Sequence, residues 1–166
     1  MRRIVFLVLF VAYSVFCASC EEIIFKNKAF KLDDSTQYAL ITFSKNQCCI
    51  LIDNCSFSAS NTSAQYSGTY VHITHAALVT IRNSQFNAIQ LNLRPALLFG
   101  NNINVSVIEY TNFTGIMNRN GNGSALYLQI HPEFGSHTLN HVIFRERQAI
   151  YGGAIFIDLG IQKCTH

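Results

Sequence analysis

The sequence predicts an all-β solenoid, a right-handed parallel β-helix of about five coils with 27–31 residues each. Three observations predict it. Phe30, Phe57, Phe86, Phe113 and Phe144 follow one another at spacings of 27, 29, 27 and 31 residues. A second landmark, Ala39, Thr69, Ala96, Ala125 and Ala154, keeps the same period, with spacings of 30, 27, 29 and 29. Between the landmarks, short runs of Ile, Val, Leu, Phe and Tyr are divided by Asn, Ser, Gly and Thr, a composition of strands and turns. A fixed period in the range of about 20–50 residues signals stacked repeats. Strands of a β-sandwich recur about every 8–12 residues without repeating residue types, and a propeller blade takes about 40–50. Only 13% of the residues are charged, and no helical period is sustained, so a helical repeat does not fit.

Met1 to Cys20 reads as a signal peptide. Arg2 and Arg3 precede the apolar run Ile4–Phe16, and the small residues Cys17 to Cys20 follow before Glu21-Glu22. The run is too short to cross about 30 Å of hydrocarbon comfortably, so no membrane span is expected after cleavage. Removing the leader lowers the formal net charge from +3 to +1. The basic balance therefore belongs to the leader, and nucleic acid is not an expected partner. Residues 21–166 remain as one β-helix domain.

Each coil has further matching positions. Five residues before each phenylalanine stand Phe25, Ile52, Ile81, Ile108 and Leu139. Three before stand Asn27, Asn54, Asn83, Tyr110 and His141. Coils stacked about 4.8 Å apart place equivalent residues over one another. The phenylalanines are thus expected to stack, and Asn27, Asn54 and Asn83 to form an inward amide ladder at a turn. Gly152 and Gly153 open the strand of the last coil, with degenerate forms of the same step at Gly68 and Gly123.

Four cysteines follow the leader: Cys48, Cys49, Cys55 and Cys164. Cys48 and Cys164 match in position but lie four coils apart, about 19 Å, beyond the ~7 Å that a disulfide allows. Two readings stand for the rest: a bridge from Cys49 or Cys48 to Cys55 across a turn, or reduced cysteines stacked in the core. Sequons begin at Asn54, Asn61, Asn104, Asn112 and Asn122. In a eukaryotic secretory pathway these are N-glycan acceptors. Asn61 and Asn122 are expected in loops, and Asn54 in the ladder instead.

Chemistry-bearing clusters are sparse. His72 and His75 are expected on opposite faces of a strand, and His137 and His141 about 13 Å apart along one, so neither pair chelates a metal. Asp33 and Asp34 are adjacent and diverge on a strand. Arg145-Glu146-Arg147 reads as a charged surface turn. No catalytic, metal-binding or cofactor-binding residue is expected. The segment from Ile161 to His166 aligns with Gln47–Cys49, the opening of another coil. No capping repeat is legible there, which suggests a piece of a longer solenoid or an edge for self-association.

The units Ile52-Asp53-Asn54-Cys55-Ser56-Phe57 and Tyr151-Gly152-Gly153-Ala154-Ile155 resemble the repeats of chlamydial polymorphic outer-membrane proteins and of related β-helix surface proteins in some protists. The Gly-Gly-Ala-Ile tetrapeptide of that family occurs once, at Gly152 to Ile155, and its Phe-x-x-Asn tetrapeptide is absent. The resemblance spans about Phe25 to Leu159. It implies a secreted, adhesin-like surface protein with no catalytic residue. The expected function is therefore non-enzymatic adhesion or binding of a glycan or protein ligand. The alternative is a pectate-lyase-like carbohydrate-active enzyme, which needs acids converging on one face. Asp53 and Glu109 occupy near-matching positions, two coils apart.

Overall fold

The structure is a computed structural model, and it describes residues 21–33, 38–46, 48–130 and 135–159. The predicted leader, Asp34, Cys164 and the segment after Leu159 lie outside the described residues. Every ladder is parallel, and the strands stack into a β-solenoid of about four turns. Five copies of the repeat bound those turns.

The first copy holds β1 (Glu21–Lys26), β2 (Ala29–Leu32) and β3 (Ala39–Ser44). The second holds β4 (Cys48–Asp53), β5 (Ser56–Ala59) and β6 (Gln65–Tyr66). Two long strands, β7 (Thr69–Arg82) and β9 (Leu97–Glu109), each close one coil and open the next, with β8 (Gln85–Leu91) between them. The chain continues through β10 (Asn112–Asn122), β11 (Leu126–Gln129), β12 (Ser136–Asn140), β13 (Ile143–Arg145), β14 (Gln148–Tyr151) and β15 (Ile155–Asp158). One sheet follows the order β1-β4-β7-β9-β11-β15, with β3 on β7 and β12 on β9. The other follows β13-β10-β8-β5-β2, with β14 on β10 and β6 on β8. The β7–β9 register shifts between Ile73 and His75. At that shift a Cβ on Gly100 would meet the Thr74 backbone at 3.0 Å.

The phenylalanine registers reproduce the predicted period residue by residue. Phe30 pairs with Phe57, Phe57 with Phe86, Phe86 with Phe113 and Phe113 with Phe144. Their rings stack at centroid distances of 4.8, 4.4, 4.7 and 5.2 Å, with interplanar angles of 16° or less. Phe25, Ile52, Ile81, Ile108 and Leu139 form a second row. A third row runs Ile41, Val71, Leu97, Leu126, Ile155. Tyr70 packs its ring against Phe57 and Phe86 and donates its hydroxyl to the Asn87 carbonyl at 2.9 Å. Burial pushes its phenol far above the ordinary value. Each fully buried ring contributes roughly 2–3 kcal/mol by removal from water, and stacked pairs add about 0.5–1.5 kcal/mol.

One landmark slips. Val71 pairs with Leu97, so Tyr70 rather than Thr69 lines up with Ala96. Ala96 O accepts hydrogen bonds from both Tyr70 N and Val71 N, and Thr69 Oγ1 bonds the same carbonyl at 2.8 Å. Pro95, which lacks an N–H, breaks the ladder just before this point.

Candidate functional site

Two surface features stand out, a repeated turn and a lateral cleft. The turn begins where β1, β4, β7, β9 and β12 end. Asn27, Asn54, Asn83, Tyr110 and His141 all have φ between 48° and 55°. This left-handed region favours Asn over most L-residues. All five are exposed, so the inward amide ladder is corrected: the row faces water. Asn54 Nδ2 donates to Asn27 Oδ1 at 2.8 Å, but Asn83 Nδ2 turns to Asp53 Oδ1 at 3.1 Å. Tyr110 and His141 continue the row as stacked rings 5.0 Å apart. The recurring asparagine reflects a backbone requirement that Tyr110 and His141 also meet, with ring stacking in place of amide bonding.

Flanking rows complete the turn. Immediately before it, Lys26, Asp53, Arg82, Glu109 and Asn140 share a rung. Charges alternate along the first four, and opposite charges on neighbouring strands attract. Arg82 binds Asp53 at 3.0 Å. Burial pushes the Asp53 carboxyl up, but hydrogen bonds from Arg82 and Asn83 and the nearby Arg82 charge outweigh it and hold the pKa below the ordinary carboxylate value. Asp53 is thus ionised and engaged, with Arg82 between it and Glu109. Immediately after the turn, Cys55 Sγ, Ser84 Oγ and Thr111 Oγ1 each bond the carbonyl two residues back. Cys55 fills a position that takes Ser or Thr in the next two coils. Its thiol is free and buried, so neither Cys49 nor Cys48 bridges to it. Cys49 is disulfide-bonded, and Cys48 Sγ meets the Lys45 carbonyl at 3.1 Å.

The lateral cleft has a volume of about 270 Å³. It lies over Leu98 and Tyr127, two members of the row Thr42, His72, Leu98, Tyr127, Phe156, whose registers run across five strands. Leu98 and Tyr127 contribute to its lining, together with Leu93, Arg94 and Pro95 on one side and Asn120, Gly121 and Asn122 on the other. The two walls touch at Gly121, where a Cβ would meet Leu93 O at 2.2 Å. Asn120 Nδ2 donates to Asn92 Oδ1 at 2.6 Å and ties the walls together. Arg94 lies over the Tyr38 ring at 4.1 Å, and His72 lies against the same ring at 5.0 Å. Burial pushes the His72 pKa down, and the Arg94 charge adds to this. Tyr127 stacks on Phe156 and donates its hydroxyl to Asp158 Oδ2 at 2.9 Å. Burial, that hydrogen bond and the Asp158 charge push its phenol up to about 12.

The other sequence-predicted residues are scattered. Asn61 is exposed in the loop after β5, and its Oδ1 accepts from Ser63 N. Asn104 is exposed in mid-β9, and Asn112 is half-buried at the start of β10. Asn122 is the last residue of β10 and lines the cleft, rather than lying in an open loop. Gly152 has φ 74°, and a Cβ there would meet Ile155 O at 2.2 Å. Gly123, one coil earlier, has φ 61° and the same conflict with Leu126 O at 2.5 Å. Gly153 has φ 47° with open space around it. His75 bonds Ser44, Thr74 and Asn102 while His72 lies against Tyr38, and His137 bonds Ser106 while His141 stacks on Tyr110. Arg145, Glu146 and Arg147 are all exposed.

The cleft was not anticipated from the sequence. Its signal was the short segment Leu93-Arg94-Pro95, where Leu93 takes a φ of 78° and stays 65% exposed. No protein-family model, no curated protein and no solved structure matches the chain.

Proposed function

We propose that this chain is a secreted or cell-surface β-helix that binds a ligand without transforming it, as the resemblance to polymorphic outer-membrane protein repeats implies. The observation that supports this reading is the composition of the lateral cleft. It combines an aromatic and aliphatic floor with a cation and amides, and no Asp or Glu lines it among the described residues. The second cleft, about 330 Å³ beside the asparagine turn, is likewise lined by no carboxylate among the described residues. Acid–base cleavage of a polysaccharide needs such groups at the substrate. Asp158 reaches the cleft floor through the Tyr127 hydroxyl, from which it accepts a hydrogen bond, and Asp53 and Glu109 are separated by Arg82, with Asp53 ion-paired.

The test is to express the chain in secretory cells and collect the medium. The expected result is export with residues 1–20 removed, followed by retention on an immobilised polysaccharide or cell-surface extract without new reducing ends or unsaturated products. Release of such products, lost on substitution of Glu109, would replace this reading with the pectate-lyase-like one. Retention of the whole chain inside the cells would remove the surface role.

A further inference from the structure

We infer that the lateral cleft is a binding site for a carboxylate-bearing sugar, a uronic-acid type residue of an acidic polysaccharide, with Arg94 as the anion-recognising group. This rests on the ligand-binding reading above and specifies its chemistry.

The first argument is unsatisfied polarity. Among the described residues, buried polar atoms without a hydrogen-bond partner include His72 Nδ1, Arg94 Nη1, Asn118 Oδ1 and Ser124 Oγ. A buried polar group without a partner is unusual and costs roughly 1–3 kcal/mol. Of these four, Arg94 alone lines the cleft, whereas Asn118 and Ser124 are fully buried. Arg94 and His72 share the Tyr38 ring, whereas the Asn118 side chain lies within 2.6 Å of where a Gly121 Cβ would be. Arg94 offers a planar fork of donors that matches a carboxylate in two-point geometry. Its charge has no carboxylate partner among the described residues, unlike that of Arg82.

The second argument is the shape of the site. Its floor is Leu98 and the Tyr127 ring, and its far wall carries the amides of Asn120 and Asn122. An aromatic ring beside amides suits a sugar, which presents an apolar ring face and vicinal hydroxyls that both donate and accept. A volume of about 270 Å³ is close to the lower end of small-ligand sites, about 300 Å³. An extended acidic peptide is disfavoured, because strand addition needs an unpaired edge. Here β7, β9 and β11 are each paired on both sides.

The experiment is a calorimetric titration of the secreted chain with trigalacturonate, its methyl ester, and inorganic sulfate. The ester keeps the sugar and removes the charge. The expected result is binding of the acid at least tenfold tighter than the ester, weakened about tenfold by Arg94→Gln and less by Arg94→Lys. Tyr127→Ala should weaken both sugars, and Lys31→Gln on another face should change nothing. Thermal melts of each variant report folding independently. Equal binding of acid and ester would overturn the anionic inference while leaving sugar binding in place. Acid binding unaffected by Arg94→Gln in a folded variant would overturn the site. Sulfate binding as tightly as trigalacturonate would reduce it to a general anion site and overturn the sugar. Absence of binding by all three ligands would overturn the inference, while retention on cell-surface extract would still support the broader reading.

Discussion

Two rows of residues three positions apart obey different rules. The phenylalanine row, from Phe30 to Phe144, never changes residue type, and its central members Phe57, Phe86 and Phe113 are fully buried. The turn row changes from Asn to Tyr to His, yet its φ varies by only a few degrees around 50°. Inside, the side chain is what repeats, because close packing penalises any change of volume. At the turn, the backbone is what repeats, and several side chains satisfy it in water. A repeat in a solenoid can therefore be written in either of two alphabets, and a residue-type search reads only the first.

The largest expected effect tests the inner alphabet. Phe86→Ala should cost about 3–5 kcal/mol, because the ring is stacked on both sides and cannot be replaced by relaxation alone. Phe144→Ala should cost about half as much, since Phe144 is half-buried and stacks on one described neighbour only. Urea unfolding of both variants checks the comparison. Equal losses would mean that the last described coil is as tightly packed as the centre.

Glycine positions sharpen the difference between space and conformation. Gly152→Ala combines a positive φ with a Cβ placed 2.2 Å from a backbone oxygen, whereas Gly153→Ala faces only its φ of 47°. The first should lose about 2–3 kcal/mol and the second about 1 kcal/mol. Thermal melts of the pair measure the gap, and identical shifts would assign the whole cost to φ. The family-like Gly-Gly step is thus a steric requirement at its first residue, shared with Gly123.

A pH titration tests the charged rung that borders the turn. The folded pKa of Asp53 lies below the ordinary 3.8. Its ionised form therefore adds stability that is present above pH 3.8 and is lost as pH falls through 3.8 toward the folded value. Arg82 is 41% exposed on its side chain, so solvent screening trims the contribution to about 1 kcal/mol. Asp53→Asn should destabilise by about that amount at pH 7 and flatten the acid limb of the melting curve. An unchanged acid limb would leave the other carboxylates responsible for it.

The solenoid and its registers were legible because stacked side chains of one type recur at one period. The phenylalanine and isoleucine rows fell where that period put them. The Thr69–Ala96 step was misplaced by one residue because Pro95 interrupts the ladder there, a backbone effect that residue counting does not see. The Cys49–Cys55 bridge failed for a related reason. Cys55 stands in the row of Ser84 and Thr111, where a small side chain bonds the carbonyl two residues back. The lateral cleft was illegible because its residues belong to two separate segments, 93–98 and 120–127, of neighbouring coils. Only stacking brings them together.

The smallest expected effect decides whether the turn row is truly interchangeable. Tyr110 sits at φ 48° and stacks on His141 at 5.0 Å. Tyr110→Asn restores the residue that three coils use there and relieves part of the left-handed penalty. It also removes a ring stack worth about 0.5–1.5 kcal/mol. The two changes oppose each other, so the net shift should stay within about 0.5 kcal/mol. Tyr110→Val removes the stack and places a β-branched residue at positive φ, where such residues are genuine outliers. It should lose about 1–2 kcal/mol more than the Asn variant. If urea unfolding found Asn and Val equally tolerated, the φ constraint at the turn would be too weak to explain why Asn27, Asn54 and Asn83 recur. Amide–amide bonding of the kind made by Asn54 and Asn27 would then be the better account of the row.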